Sequence, residues 1–347
     1  MLIQRKPSST ISSTIKLFII AIVAICFIFS LSSSMGGIRL FYLPNNNDKQ
    51  EQQSLSLPQQ QSLSSSSSSS VVIDNDYKMA YDESLGFFDD VSTEKWLRQK
   101  QIASSAMHYY NSDKNSKNYT GAPVWYANNW HPYFHCNFED FVGPGGDGGK
   151  WVCDPHRVNK PGCLVYSIGS NGKFEFEKFI ESGLEHCEIH IFDFTNYTHT
   201  MIDLWQLERS YYHVWGLGAN DGKNNVRNFK ARKFVFKSFR ETVQELGHTG
   251  RMIDLFKIDC EGCEWDTYTN WLDIEESGIK GIRQILVETH ATPVAKTTKF
   301  FDALYNDGYV IFHKEPNIEF GIGACVEFSF LKLDSSFISN KQINKSD

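Results

Sequence analysis

Met252-Ile-Asp-Leu-Phe-Lys-Ile-Asp-Cys-Glu-Gly-Cys-Glu-Trp265 runs from a short apolar segment straight into a cluster of charge. Lys257, Asp259, Glu261 and Glu264 surround one glycine, Gly262. The apolar run reads as a buried strand, and in open α/β sheets ligands bind at the carboxyl ends of parallel strands. Polar residues at this end therefore read as a site.

Strand-like runs recur on both sides of this segment. Residues 162–168 form one, followed by the turn Gly169-Ser-Asn-Gly172 and an amphipathic helical pattern over 174–182. Residues 189–192 give the next strand, which ends at Asp193, and 212–217 a third. Residues 252–258 and 282–288 are the fourth and fifth, with helical stretches at 239–246 and 265–277 between them. A helix at 297–306 precedes a strand at 309–312, and 325–332 is a last strand, antiparallel to its neighbour. Alternation at this spacing predicts an α/β doubly wound, mostly parallel sheet with one antiparallel strand.

A glycine turn between strand and helix lets a ligand approach the backbone, and the helix start offers unpaired N–H groups. A plain tight turn would look the same. Asp193 at the end of the second strand shifts the balance, because a carboxylate there accepts hydrogen bonds from ribose hydroxyls. The turn lacks the full GxGxxG that NAD favours, whereas S-adenosylmethionine has no pyrophosphate and tolerates a shorter loop. The residues therefore favour the methyl donor over the dinucleotide.

The runs LVYSIGSNGKFEFE, FKIDCEGCEW and ILVETH resemble the S-adenosylmethionine-dependent methyltransferases of the FkbM type. The upstream run GPGGDGGKWVCDP, from Gly143 to Pro155, is similar to the methyltransferase-like protein 24 group. The resemblance spans about 133–333 and implies a Rossmann-like methyltransferase fold with S-adenosyl-L-methionine at the ends of the first, second and fourth strands. By position it places Gly169, Ser170, Asn171 and Gly172 at the methionine part, Asp193 at the ribose, and Asp259 near the methionine amine and reacting centre. Ser170-Asn171 departs from the usual acid or glycine of that loop.

Methyl transfer to a hydroxyl needs an in-line nucleophile and a group to take its proton. Asp259, Glu261 and His290 are the candidate catalytic residues, His290 lying two positions beyond Glu288 at the end of the fifth strand. A hydrogen-bonded loop histidine is the plain alternative for His290. Lys257 alternates with Asp259 along the strand and reads as half of a Lys–carboxylate pair. Glu264 reads as an acid favoured by the dipole at a helix start. The turn Asp147-Gly-Gly-Lys-Trp151, with Trp125, Trp130 and His131, reads as a lid over the donor or a cap packed on the sheet.

Upstream, residues 17–38 carry no charge and are long enough at about 33 Å to span a bilayer as one helix. Arg5, Lys6 and Lys16 precede it, which places the N-terminus in the cytosol and the rest in the lumen, a type II signal anchor. A cleaved signal peptide is the alternative, leaving a secreted protein. The Asn, Gln and Ser stretch that follows cannot bury enough surface to order itself and reads as a disordered stem. The organisation expected is a cytosolic tail at 1–16, anchor at 17–38, stem at 39–80, N-terminal extension or cap at 81–160, methyltransferase domain at 161–335 and tail at 336–347.

With 41 acidic against 34 basic residues, a net charge of -7, nothing points to a nucleic-acid surface. Outside the anchor the cysteines number Cys136, Cys153, Cys163, Cys187, Cys260, Cys263 and Cys325, so at least one thiol stays unpaired or pairs between chains. Cys260 and Cys263 form a CxxC that no second CxxC or close His pair completes, so no metal is expected. A disulfide could close the connection between Cys153 and Cys163. Asn118, Asn196 and Asn344 head glycosylation sequons. The expected function is O-methylation of a glycan or small molecule in the secretory pathway, with Golgi residence by analogy with other stem-and-anchor enzymes. The alternative is a degenerate fold that binds without catalysis.

Overall fold

The computed structural model describes residues 74–113, 129–197, 207–219, 226–229, 232–290, 292–317 and 325–338. The expected anchor at 17–38 lies outside them. Among the described residues no helix is long and apolar enough to cross a membrane.

The chain opens with helix α1 (Asn75–Glu83), whose N-cap Asp74 accepts from the Asp76 N–H. Helix α1 therefore starts within the span expected as stem, and its Ala80 is fully buried against the core. Helix α2 (Thr93–Asp113) buries Trp96, whose Nε1 donates to Glu83 at 2.6 Å. Strands β1 (Glu139–Val142) and β2 (Lys150–Cys153) form an antiparallel hairpin, followed by the short α3 (Pro155–Val158).

The alternating core then follows. It runs β3 (Leu164–Ile168), α4 (Glu175–Gly183), β4 (Glu188–Phe192) and β5 (Ser210–His213). Strands β6 (Gly216–Leu217), β7 (Val226–Phe229) and β8 (Arg232–Lys237) make a small separate sheet. Helix α5 (Phe239–Glu245) leads to β9 (Met252–Ile258), α6 (Glu264–Leu272) and α7 (Ile274–Ser277) to β10 (Gly281–His290), and α8 (Val294–Asn306) to β11 (Tyr309–Pro316). Strand β12 (Cys325–Lys332) and α9 (Ser335–Ile338) close the described chain.

The main sheet has the order β11-β12-β10-β9-β3-β4-β5. Strands β10, β9, β3, β4 and β5 pair in parallel, while β12 runs antiparallel to both β10 and β11. Every residue of β3 is buried, as a central strand covered on both faces requires. The expected Rossmann-like sheet with one antiparallel strand is the one observed. The expected strand 212–217 is divided, however, because the chain leaves β5 at His213 and enters the small sheet at Gly216.

Two buried side chains fix the N-terminal segment to this core. Gln284 on β10 accepts from the Cys153 N–H and donates to the Cys153 carbonyl, which seats the β1–β2 hairpin on the sheet. Losing it would leave buried backbone groups unpaired, at about 1–3 kcal/mol each. Arg283 donates to the carbonyls of Ser84 and Leu85 beyond α1. Disulfides join Cys136 to Cys153 and Cys163 to Cys187, which settles a pairing the sequence leaves open, and Cys153 and Cys163 are not joined to each other. Each half instead has its partner in a neighbouring segment, Cys153 before the hairpin and Cys163 beyond α4.

Candidate active site

A crevice of about 490 Å³ opens at the carboxyl ends of the parallel strands. Gly169, Ser170, Asn171, Asp193, Asp259, Glu261 and His290 all line it, whereas Gly172, though in the same loop, does not. Gly169 follows β3 at φ +80°, and a Cβ there would lie 1.7 Å from the Asp259 carbonyl oxygen. Only glycine fits that approach. Asn171 and Gly172 continue with positive φ, and the Tyr197 hydroxyl donates to Asn171 Oδ1 at 3.0 Å.

Asp193 holds this loop. Its Oδ2 accepts from the backbone N–H of Ser170 (3.1 Å) and Asn171 (2.9 Å) and from the Ser170 hydroxyl, while Oδ1 accepts from the Thr195 N–H at 2.8 Å. The expectation gave this carboxylate to a ribose. Much of its acceptor capacity is instead spent on the backbone, which leaves mainly Oδ1 for a ligand.

A network of charge occupies the adjoining strand ends. The Asp259 N–H donates to Ile168, tying the tip of β9 to β3. Although burial pushes its carboxyl up, Lys150 and then Lys257 hold Asp259 below its usual range. Glu288 on β10 goes the other way, pushed up to about 8 by burial and then by the charge of Asp259, with which it shares a hydrogen bond. The two carboxyls thus retain one proton at neutral pH. Asn317 Nδ2 donates to Glu288 Oε1 at 2.8 Å, which fixes that carboxyl from β11's end.

Lys150 was not singled out by the sequence, yet it is the lysine closest to this pair. It comes from the β1–β2 hairpin, is 1% exposed, and lies 2.6 Å from Glu327 and 3.6 Å from Asp259. Lys257, expected to pair with a carboxylate, instead donates to the Gly169 carbonyl at 2.8 Å. The register that sets Lys257 opposite Ser167 on β3 brings its long side chain beneath the glycine turn, where its charge still acts on Asp259 and Glu177 without a direct ion pair.

Glu264 corrects the helix-start reading. It does begin α6, but it is fully buried, and its Oε1 accepts from the His290 backbone N–H at 3.0 Å and lies 2.9 Å from His290 Nδ1. Its Oε2 accepts from the Gly262 N–H. Burial alone would lower the His290 pKa, but the Glu264 hydrogen bond and charge outweigh it and raise it to about 9. His290 Nε2 then faces Glu261 at 3.5 Å, whose side chain is exposed at the crevice mouth.

Cys260 and Cys263 are joined in a disulfide beside these acids, which removes both as ligands. Cys325, opposite His290 in the β10–β12 register, keeps its thiol, and burial pushes that thiol up to about 12. The turn around Asp147 meets the crevice, with Lys173 Nζ 3.1 Å from Asp147 Oδ2. Trp151 and Trp130 belong to a packed cap. The first stacks on His313 at 4.2 Å, and the second is buried against Phe301 at 4.0 Å. Trp125 lies outside the described residues.

A family model described as a methyltransferase domain matches residues 78–332. Among solved structures, the chain is similar to Aeropyrum pernix fibrillarin in complex with S-adenosyl-L-methionine, at 10% identity over 50% of this chain and 68% of that chain, with TM-score 0.33. It is also similar to human methyltransferase-like protein 13 in complex with SAH, at 10% identity over 52% and 76%, TM-score 0.34. A third is the Burkholderia thailandensis 1,6-didemethyltoxoflavin-N1-methyltransferase, at 10% identity over 70% and 92%, TM-score 0.31. At these scores the assignment rests on the family match. No curated protein matches the chain.

Proposed function

Because this chain belongs to the methyltransferase domain family, we propose that it moves the methyl group of S-adenosylmethionine onto a hydroxyl of a glycan or small molecule. The observation that carries this reading is the juxtaposition, in one crevice, of the Gly169 loop with the His290–Glu264 pair. S-adenosylmethionine supplies a methyl group made electrophilic by its sulfonium. Gly169 offers the Cβ-free approach that a nucleoside needs, and Asp193 would hold the ribose through the acceptor capacity left on Oδ1. The anionic Asp259–Glu288 pair and Glu261 favour the positively charged donor.

His290 would accept the proton of the acceptor hydroxyl at Nε2 while Glu264 orients the ring through Nδ1, the O–CH3 bond forming as the S–CH3 bond of the donor breaks and S-adenosylhomocysteine leaves. With a pKa of about 9, His290 is mostly protonated at neutral pH. Methyl transfer is expected to rise between pH 7 and 9 as the neutral imidazole becomes available, and His290→Gln should abolish that rise. A flat profile in the unaltered protein would remove His290 from the role of base.

Residence in the secretory pathway, through a type II anchor at 17–38, is part of the same proposal. Three disulfides among the described residues support it, since such bonds persist in oxidising compartments. Golgi residence is proposed by analogy with other enzymes mounted on a stem and anchor.

Calorimetric titration of the full chain with S-adenosylmethionine tests the first requirement, and mass spectrometry of a glycan extract incubated with protein and labelled donor tests the second. Absence of donor binding would favour a second reading, a binding module without catalysis. The engagement of Asp193 by the backbone of its own loop is the observation that favours it.

A further inference from the structure

A second group of ionisable side chains, two buried histidines and a partly exposed glutamate, lies towards the amino ends of the same strands and takes no part in the crevice. Glu188 and His190, two residues apart on β4, point to one face, as strand alternation requires. His248, which follows α5, meets them there. Glu188 Oε1 is 3.0 Å from His190 Nε2 and 3.9 Å from His248 Nε2. One ligand atom from each of the three residues lies within 4.8 Å of the others.

The atoms turned away from this point are all engaged. His190 Nδ1 is 2.9 Å from His213 Nε2, His248 Nδ1 is 2.7 Å from the Tyr166 hydroxyl, and Arg251 Nη1 donates to Glu188 Oε2 at 2.7 Å. Metal-binding histidines are oriented in this way, one ring nitrogen held by an outer partner while the other is presented to the ion. Both imidazoles are nearly buried, while Glu188 is 37% exposed and leaves an approach from solvent.

We propose that Glu188, His190 and His248 bind one zinc ion at the amino end of the central strands. Two imidazoles and one carboxylate form a three-ligand zinc set, with water completing a tetrahedron. Zinc–ligand bonds of about 2.0–2.2 Å place ligand atoms about 3.3 Å apart, so closure draws together atoms that now lie within 4.8 Å of one another, by about 1.5 Å at most. Magnesium and calcium prefer all-oxygen surroundings and are poorly served here. The ion would clamp β4 to the turn between α5 and β9. The rival account is a network satisfied without metal, in which His190 donates to Glu188 and Arg251 neutralises it.

The test uses the full chain, freed of metal by a chelator and titrated with zinc alone, then with cobalt as a spectroscopic substitute. One zinc per chain is expected, with visible cobalt bands of tetrahedral type and no competition from excess magnesium. His248→Gln and Glu188→Gln should each weaken zinc binding at least tenfold. Glu188 is the more exposed of the two, so E188Q keeps the question answerable if H248Q fails to fold. His290→Gln should leave the zinc stoichiometry at one. Failure to retain zinc, undiminished binding in E188Q, equal binding of magnesium, or loss of the ion in H290Q would each overturn the assignment.

Discussion

The two ends of one parallel sheet treat buried histidines in opposite ways. At the carboxyl ends His290 has a fully buried carboxylate, Glu264, at 2.9 Å from Nδ1, and its pKa rises to about 9. Around His190, two imidazoles fall to about 4, those of His248 towards the amino ends and of His213, which closes β5 but whose ring meets His190, first through burial and then through the positive charge of His190 and further cations. The carboxylate nearest His248 is Glu188, farther off at 3.9 Å, half-exposed and already held by Arg251. Burial alone therefore does not decide the charge of an imidazole. What decides it is whether a carboxylate with no better partner is buried beside it.

The largest effect expected at the carboxyl end follows from Gly169→Ala. A side chain at φ +80° costs about 1–3 kcal/mol, and the overlap with the Asp259 carbonyl adds to that. Donor affinity should fall at least a hundredfold by titration calorimetry, with a lowered urea midpoint. Near-normal values would show that loop and strand tip are not in contact. His290→Gln should reduce turnover by about a hundredfold to ten-thousandfold, in the range of a lost general base, with donor affinity changed far less. If turnover survives, the contrast between the two ends has no catalytic meaning.

Stability against pH gives a smaller effect with a different sign at each end. His290 has a raised folded-state pKa, so its contribution is complete below 6.5 and is lost as pH rises through about 9. Glu288 retains its proton when folded up to about 8, so it too removes stability as pH climbs from 4.5. His213 and His248 have depressed values, and their contribution is present above 6.5 and lost as pH falls towards 4. The melting temperature of the metal-free protein should therefore peak near pH 6.5. His290→Gln should flatten the alkaline side and His213→Asn the acid side, each by a few degrees. A variant that flattened the opposite side would exchange the roles assigned to the two ends.

Much of this arrangement is legible in the sequence, because central strands appear there as unbroken apolar runs and their ends as sudden polarity. Gly169, Asp193, Asp259 and His290 are found by that signal and converge on one crevice. Lys150 is not, since it reaches the site from a hairpin that is brought near by tertiary bonds from Gln284 and Ser329, far off in the chain. Glu264 is visible as a helix-start acid, but which face of α6 is buried depends on packing against β10. The strands Val226–Phe229 and Arg232–Lys237 escape notice because lysine and arginine interrupt their apolar alternation. His190 and His248 are separated by nearly sixty positions, and nothing in the linear order joins them.

Cys325 is the one cysteine among the described residues that is outside a disulfide, and it lines the crevice across from His290. An alkylating label would therefore attach at the mouth of this pocket, slowly at neutral pH because so little thiolate is present, and a fluorophore placed there would brighten or dim as the pocket fills. The molecule thus carries its own attachment point for watching ligands arrive.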